Sequence, residues 1–156
     1  MTDLAHTPSR AEALVAKATG SVDLTIEGSV AEICLANGPM NLVTRPMLRQ
    51  LNKAIASLEK NEKVRCVILH GGNAKAFCAG SDIKEFDDLR QDASEYKILF
   101  EDMVIRNLAR LPMPTIAAMN GHALGGGFEI ALACDLRIAE RQAKIGLPES
   151  HLGGLG

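Results

Sequence analysis

Aromatic side chains are scarce: among 156 residues there is no tryptophan, one tyrosine and four phenylalanines. That leaves little to stack on nucleic-acid bases or sugar rings. Neither sign of charge dominates, since 17 Lys and Arg stand against 19 Asp and Glu, for a formal net charge of -2. Such a balance lacks the electrostatic footprint of a nucleic-acid or anionic-membrane binder. No run approaches the roughly 20 apolar residues of a membrane span. Cys34, Cys66, Cys78 and Cys134 are far apart, form no C-x-x-C pair and have no histidine at ligand spacing. They read as small packing residues, and no metal site is expected. The first twenty residues mix Asp3 and Glu12 with Arg10 and Lys17 and have no apolar stretch, unlike a secretory signal or a transit peptide. The expectation is a cytoplasmic protein with small-molecule or protein partners.

What is present is globular. Hydrophobic residues make up 47% and charged residues 23%, enough for one domain with a single core. Ser9-Arg10-Ala11-Glu12 has the form of a capping box, so a short helix is expected over 10–18, ahead of a domain beginning near residue 21. Alternation over 22–26 and 30–35 around Glu27-Gly28 predicts a hairpin. Thr44 is placed to cap a helix reaching about Lys60, with Met47, Leu48, Leu51, Ile55 and Leu58 on its apolar stripe.

Farther on, a buried strand is expected over 64–69, then a loop through Phe77 to Asp82 and a short helix from Ile83. Residues 94–111 carry Ile98, Leu99, Met103, Ile105, Leu108 and Leu111 at helical spacing, stopped by Pro112 and Pro114. A strand over 115–119, a glycine-rich turn over 121–127 and a helix over 128–134 follow, with strands near 136–139 and 144–145. Strands alternating with helices give an α/β domain. The last residues, Leu152-Gly153-Gly154-Leu155-Gly156, look like a connection, so the chain is expected to be the front part of a longer fold.

Two glycine-containing turns stand where strand gives way to helix: Ala79-Gly80-Ser81-Asp82 before Ile83, and Gly125-Gly126-Gly127 before Glu129. Backbone N–H groups at helix starts lack intrahelical partners, and glycine lets a ligand come close. Two such turns face to face would make an oxyanion hole; taken singly, each also fits an ordinary tight turn. Phosphate-binding patterns fit badly, because neither G-x-G-x-x-G nor G-x-x-x-x-G-K-[ST] occurs. Glu129 lies inside an apolar run and Glu149 follows Ile145-Gly146-Leu147-Pro148. Such surroundings raise a carboxyl pKa and suit acid–base work, though a capping or salt-bridging role is the alternative for each. Ser81 lacks the G-x-S-x-G setting of a hydrolase nucleophile. His122, in the second turn, suits a structural role better than a substrate-lining one.

These segments resemble a known family. Ala76-Phe77-Cys78-Ala79-Gly80-Ser81-Asp82-Ile83-Lys84-Glu85 is similar to the first signature of the enoyl-CoA hydratase/isomerase (crotonase) family. Asn120 to Glu129, running on to Ala133-Cys134-Asp135, resembles its second, and Gly146-Leu147-Pro148-Glu149 its third. The resemblance implies a crotonase-like spiral of ββα units, met here without its C-terminal helices: a helical extension over 1–20 and an incomplete core over 21–156. It implies oxyanion-hole N–H donors at Ser81 and Gly126 and catalytic carboxylates at Glu129 and Glu149. Ala79, Gly80, Asp82, Ile83 and Gly125 would line the bound thioester. No cofactor is implied, because coenzyme A is part of the substrate. The expected reaction is hydration of a 2-enoyl-CoA, with a related isomerase, hydrolase or decarboxylase, or a truncated non-catalytic acyl-CoA-binding or assembly module, as alternatives. The family's homotrimer, or dimer of trimers, is the assembly it implies.

Overall fold

The computed structural model describes residues 21–89 and 93–152; the expected helix over 10–18 lies outside them. Strands β1 (Val22–Glu27) and β2 (Val30–Leu35) form the antiparallel hairpin, turning at Gly28, whose φ of 60° suits glycine. The chain then runs through α1 (Arg45–Glu59), β3 (Cys66–His70), β4 (Ala76–Cys78), α2 (Ile83–Leu89) and α3 (Leu99–Ala109). It continues through β5 (Thr115–Met119), β6 (His122–Leu124), α4 (Gly126–Leu132), β7 (Leu136–Ala139) and β8 (Ile145–Gly146). A turn of 3-10 helix at Pro148–Leu152 carries Glu149.

Two sheets result. One has the order β1-β2-β3-β5-β7, parallel except for the hairpin; the other is the small parallel sheet β4-β6-β8. Between sheet and helices lies the core: Ala31, Ile33 and Leu35 from β2 meet the α1 stripe Met47, Leu48, Leu51, Ile55 and Leu58, all buried. Thr44 caps α1 as expected, its hydroxyl accepting from Met47 N–H at 3.4 Å. Cys78 and Cys134 are buried, and burial pushes their thiols up to about 12 and about 11, which leaves them inert. Cys34 and Cys66 are half-buried free thiols. Among the described residues no helix is long and apolar enough to cross a membrane, and no cluster of three or more His, Cys, Asp or Glu could hold a metal.

The structure corrects three local expectations. The loop read through Phe77 begins as strand β4, and the turn read over 121–127 contains β6, with α4 starting at Gly126. Strand β4 is buried throughout, and at three residues each neither strand is long enough to show a repeat. The third correction moves a helix face. A π-helical turn at Ser94–Ile98 precedes α3, and its wider repeat breaks the stripe drawn through 94–111. Ile98, Leu99 and Met103 are exposed, whereas Lys97, Glu101, Val104 and Leu108 point inward.

One buried side chain organises the loops around the small sheet. Asn41, at φ 47°, donates from Nδ2 to the carbonyls of Gly71 and Ala76 at 3.1 Å and of Phe77 at 3.2 Å. Its Oδ1 accepts from Asn37 N–H at 2.8 Å. Asn41→Ala removes these buried hydrogen bonds, though Gly71 C=O keeps Ala74 N–H at 3.2 Å, and is expected to cost about 3 kcal/mol. Chemical denaturation checks this; an unchanged midpoint would contradict it.

Candidate active site

The first turn is fixed from behind. Val43 and Ser81 form a parallel bridge, in which Val43 N–H donates to Gly80 C=O at 2.8 Å and Asp82 N–H to Val43 C=O at 3.0 Å. A bridge of this kind uses the groups on either side of Ser81, so the N–H of Ser81 itself faces the opposite edge. Gly80, at φ 100°, makes the reversal. Asp82 opens α2, its Oδ1 accepting from Lys84 N–H at 3.0 Å. Ala79 N–H donates to Met40 C=O at 3.0 Å, and Ile83 is 69% exposed.

A buried ion pair supports that turn. Lys97 is fully buried; its Nζ donates to Glu85 at 2.8 Å and to Val43 C=O at 3.0 Å, and lies 5.3 Å from the Phe86 ring centroid. The Glu85 carboxylate also accepts from Arg45 N–H, both oxygens at 3.0 Å. Removing one partner of such a pair strands the other charge in the interior. The pair therefore clamps Val43, and through it the Ser81 bridge.

The second turn sits directly opposite. Gly125 has φ 53°, and its carbonyl accepts from Phe128 N–H at 2.8 Å and Glu129 N–H at 3.0 Å, which starts α4. Gly126 is the first helical residue, so its N–H has no carbonyl a turn behind it. The approach of the turns is close enough to require glycine. A Cβ on Gly80 would meet Leu124 C=O at 2.9 Å, and a Cβ on Gly126 would stand 3.1 Å from Ser81 Oγ.

Three carboxyl groups gather at this seam. Glu129, one turn into α4, is held above the usual carboxylate range by burial first, then by the charges of Glu149 and Asp102. Glu149 reaches Gly125 from the 3-10 turn and would touch any Cβ placed there; its buried Oε2 has no hydrogen-bond partner among the described residues. Glu101, on α3, is buried and accepts from Ser81 Oγ at 3.1 Å on both oxygens. Burial raises its pKa most; Lys97 and the Ser81 hydrogen bond oppose that, and Glu129 and Glu85 add to it.

The structure thus brings Gly80, Ser81, Gly125, Gly126, Glu129 and Glu149 to one place, with Ala79, Asp82 and Ile83 along its edge. His122 Nδ1 accepts from Lys144 N–H at 3.0 Å, a strand-joining role. The Ser81 hydroxyl donates to the Glu101 carboxylate. Glu101 was not among the residues expected here, since a charged residue in an amphipathic helix reads as solvated. The signal that could have found it is that Glu101 stands four residues after Lys97 and three before Val104, on the stripe that turns inward.

The sequence model of the enoyl-CoA hydratase/isomerase family matches residues 25–155. YngF of Bacillus subtilis (strain 168) is 44% identical over 134 residues, covering 85% of this chain and 52% of YngF. The short-chain-enoyl-CoA hydratase of Clostridium acetobutylicum is 39% identical over 135 residues, 85% of this chain and 51% of that protein. The crystal structure of enoyl-CoA hydratase from Bacillus anthracis superposes with a TM-score of 0.82 at 34% identity, covering 86% of this chain and 53% of that one. The chain spans about half the length of the curated relatives it matches.

Proposed function

We propose that this chain, which belongs to the enoyl-CoA hydratase/isomerase family and has its crotonase fold, acts as an enoyl-CoA hydratase. Water adds across the 2,3 double bond of a 2-enoyl-CoA thioester. As oxygen bonds to C3, the π electrons move toward the thioester carbonyl and its oxygen becomes negative. The backbone N–H groups of Ser81 and Gly126 donate to that oxygen; losing one such donor typically costs ~3 kcal/mol. Of Glu129 and Glu149, one carboxylate takes a proton from the attacking water and the other, protonated, gives one to C2. Passing a proton between them restores the starting state. Ala79, Gly80, Asp82, Ile83 and Gly125 line the thioester.

One observation carries this reading: Glu149 stands against Gly125, within electrostatic range of Glu129, and its buried Oε2 has no hydrogen-bond donor among the described residues. Such an acceptor fits a proton-bearing partner supplied by the reaction, here the attacking water. The Clostridium acetobutylicum relative is a short-chain-enoyl-CoA hydratase, which agrees with hydration. A cytoplasmic homotrimer or dimer of trimers, as in the full-length family, belongs to the same reading.

Mixing the protein with crotonyl-CoA and following loss of the conjugated thioester's absorbance is the direct test, with 3-hydroxybutyryl-CoA as the expected product. Conversion of a 3-enoyl-CoA to the 2-enoyl isomer without hydration would overturn the hydratase reading in favour of an isomerase. Binding of acyl-CoA with no turnover would overturn it in favour of a binding module.

A further inference from the structure

We propose that Glu101 is a positioning residue for the oxyanion hole, one carboxylate that ties the Ser81 turn to the start of α4 and sets the distance between the two N–H donors. Two contacts carry the inference. Both Glu101 oxygens accept from Ser81 Oγ at 3.1 Å. The same carboxylate lies against Gly126, where Oε1 occupies the space a Cβ would need. Glu101 is therefore the side chain that touches both turns at once, reaching across from α3.

Its own position is well determined. It is 7% exposed. Lys97, one helical turn earlier, brings a positive charge near it, while Glu129 and Glu85 bring negative charge from α4 and α2. Lys97 in turn donates to Val43 C=O, whose residue bridges Ser81. So the π-helical turn and α3 together grip the first turn twice: from behind through Lys97 and Val43, and from the side chain of Ser81 through Glu101. The hydroxyl at position 81 then has a purpose beyond its backbone, because it is the handle by which Glu101 holds the turn.

This rests on the hydratase reading for its rate measurement, and a binding measurement separates the two. Ser81→Ala and Glu101→Asp, whose shorter side chain withdraws the carboxylate, should each lower kcat on crotonyl-CoA by about tenfold to a hundredfold, the scale of a small misplacement of reacting groups. KM should stay within about twofold. The double variant should be no slower than the slower single one, since both changes break one contact. Glu101→Gln still offers an acceptor to Ser81 and should restore most of the rate.

The second readout is an aryl-conjugated enoyl-CoA, whose absorption moves to longer wavelength when its carbonyl oxygen is hydrogen-bonded. That shift should shrink in Ser81→Ala and Glu101→Asp and persist in Glu101→Gln. A full shift in Glu101→Asp, multiplicative losses in the double variant, or a Glu101→Gln as slow as Glu101→Asp would each overturn the proposal. A wild-type protein that shifts the chromophore without hydrating crotonyl-CoA would overturn the hydratase reading alone, and loss of that shift in Glu101→Asp would still support this inference.

Discussion

Glu129→Gln and Glu149→Gln are each expected to slow hydration of crotonyl-CoA by about a thousandfold, the middle of the range for a positioned acid or base. KM should change little if, as proposed, both carboxylates act on the reacting carbons and water rather than on the coenzyme A portion. The loss would not come from unfolding. Glu129 has its folded-state pKa raised, chiefly by burial, then by Glu149 and Asp102. A raised carboxyl pKa means that the stability its protonated form supplies is complete at low pH and disappears as pH rises through the folded value. At neutral pH the ionised Glu129 therefore costs stability, and the neutral glutamine should match or raise the melting temperature.

An inactive protein with an unchanged or higher Tm is the signature of a working carboxylate. A dead enzyme with a lowered Tm would instead mark a structural one. The same pKa argument sets the pH profile. If ionised Glu129 accepts the proton, the acid limb of kcat/KM lies above the ordinary carboxylate range. Replacing Glu149 by glutamine removes one like charge and should move the titration of Glu129 downward, readable by NMR on the carboxyl carbon.

Sequence patterns went far where periodicity or a cap made the local structure decisive. The α1 stripe from Met47 to Leu58, capped by Thr44, was legible because burial on one face of a 15-residue helix leaves a repeat. The hairpin was legible because β2 alternates with Ala31, Ile33 and Leu35 buried. The short strands β4 and β6 were not, since Ala76-Phe77-Cys78 shows no repeat at all. At the site, glycine spacing and the apolar settings of Glu129 and Glu149 marked those residues in advance. Glu101 stayed hidden for a physical reason: a π-helical turn reset the helix, and partners distant in sequence, Ser81 and Glu85, made two charged residues preferable on the inward face. Tertiary hydrogen bonding overrode the pattern, as it does wherever polar groups are buried together.

The three consecutive glycines at 125–127 should respond to alanine in three different ways, and the middle one tests the catalytic geometry most sharply. A Cβ on Gly127 would strike the backbone carbonyl of Cys78, so Gly127→Ala damages the packing of α4 on β4 and shows as lost stability. A Cβ on Gly125 meets the end of Glu149 and also forces a side chain onto a residue at φ 53°. Gly126 has no positive φ, and the nearest atoms a Cβ would meet there are not backbone. Its new methyl would meet Glu101 Oε1 and, at 3.1 Å, Ser81 Oγ, both ends of side chains that can yield. The fold should survive Gly126→Ala with a modest drop in Tm. The Glu101 carboxylate, though, has to leave the seam, and Ser81 is released with it. Hydration is then expected to fall by about a hundredfold at nearly constant KM. Measured activity near wild type would mean that the two turns keep their spacing without Glu101 between them. A fall as large as expected, with Tm nearly preserved, would locate the lost rate in the geometry of the N–H pair, since in this variant both glutamates and both N–H donors are still present.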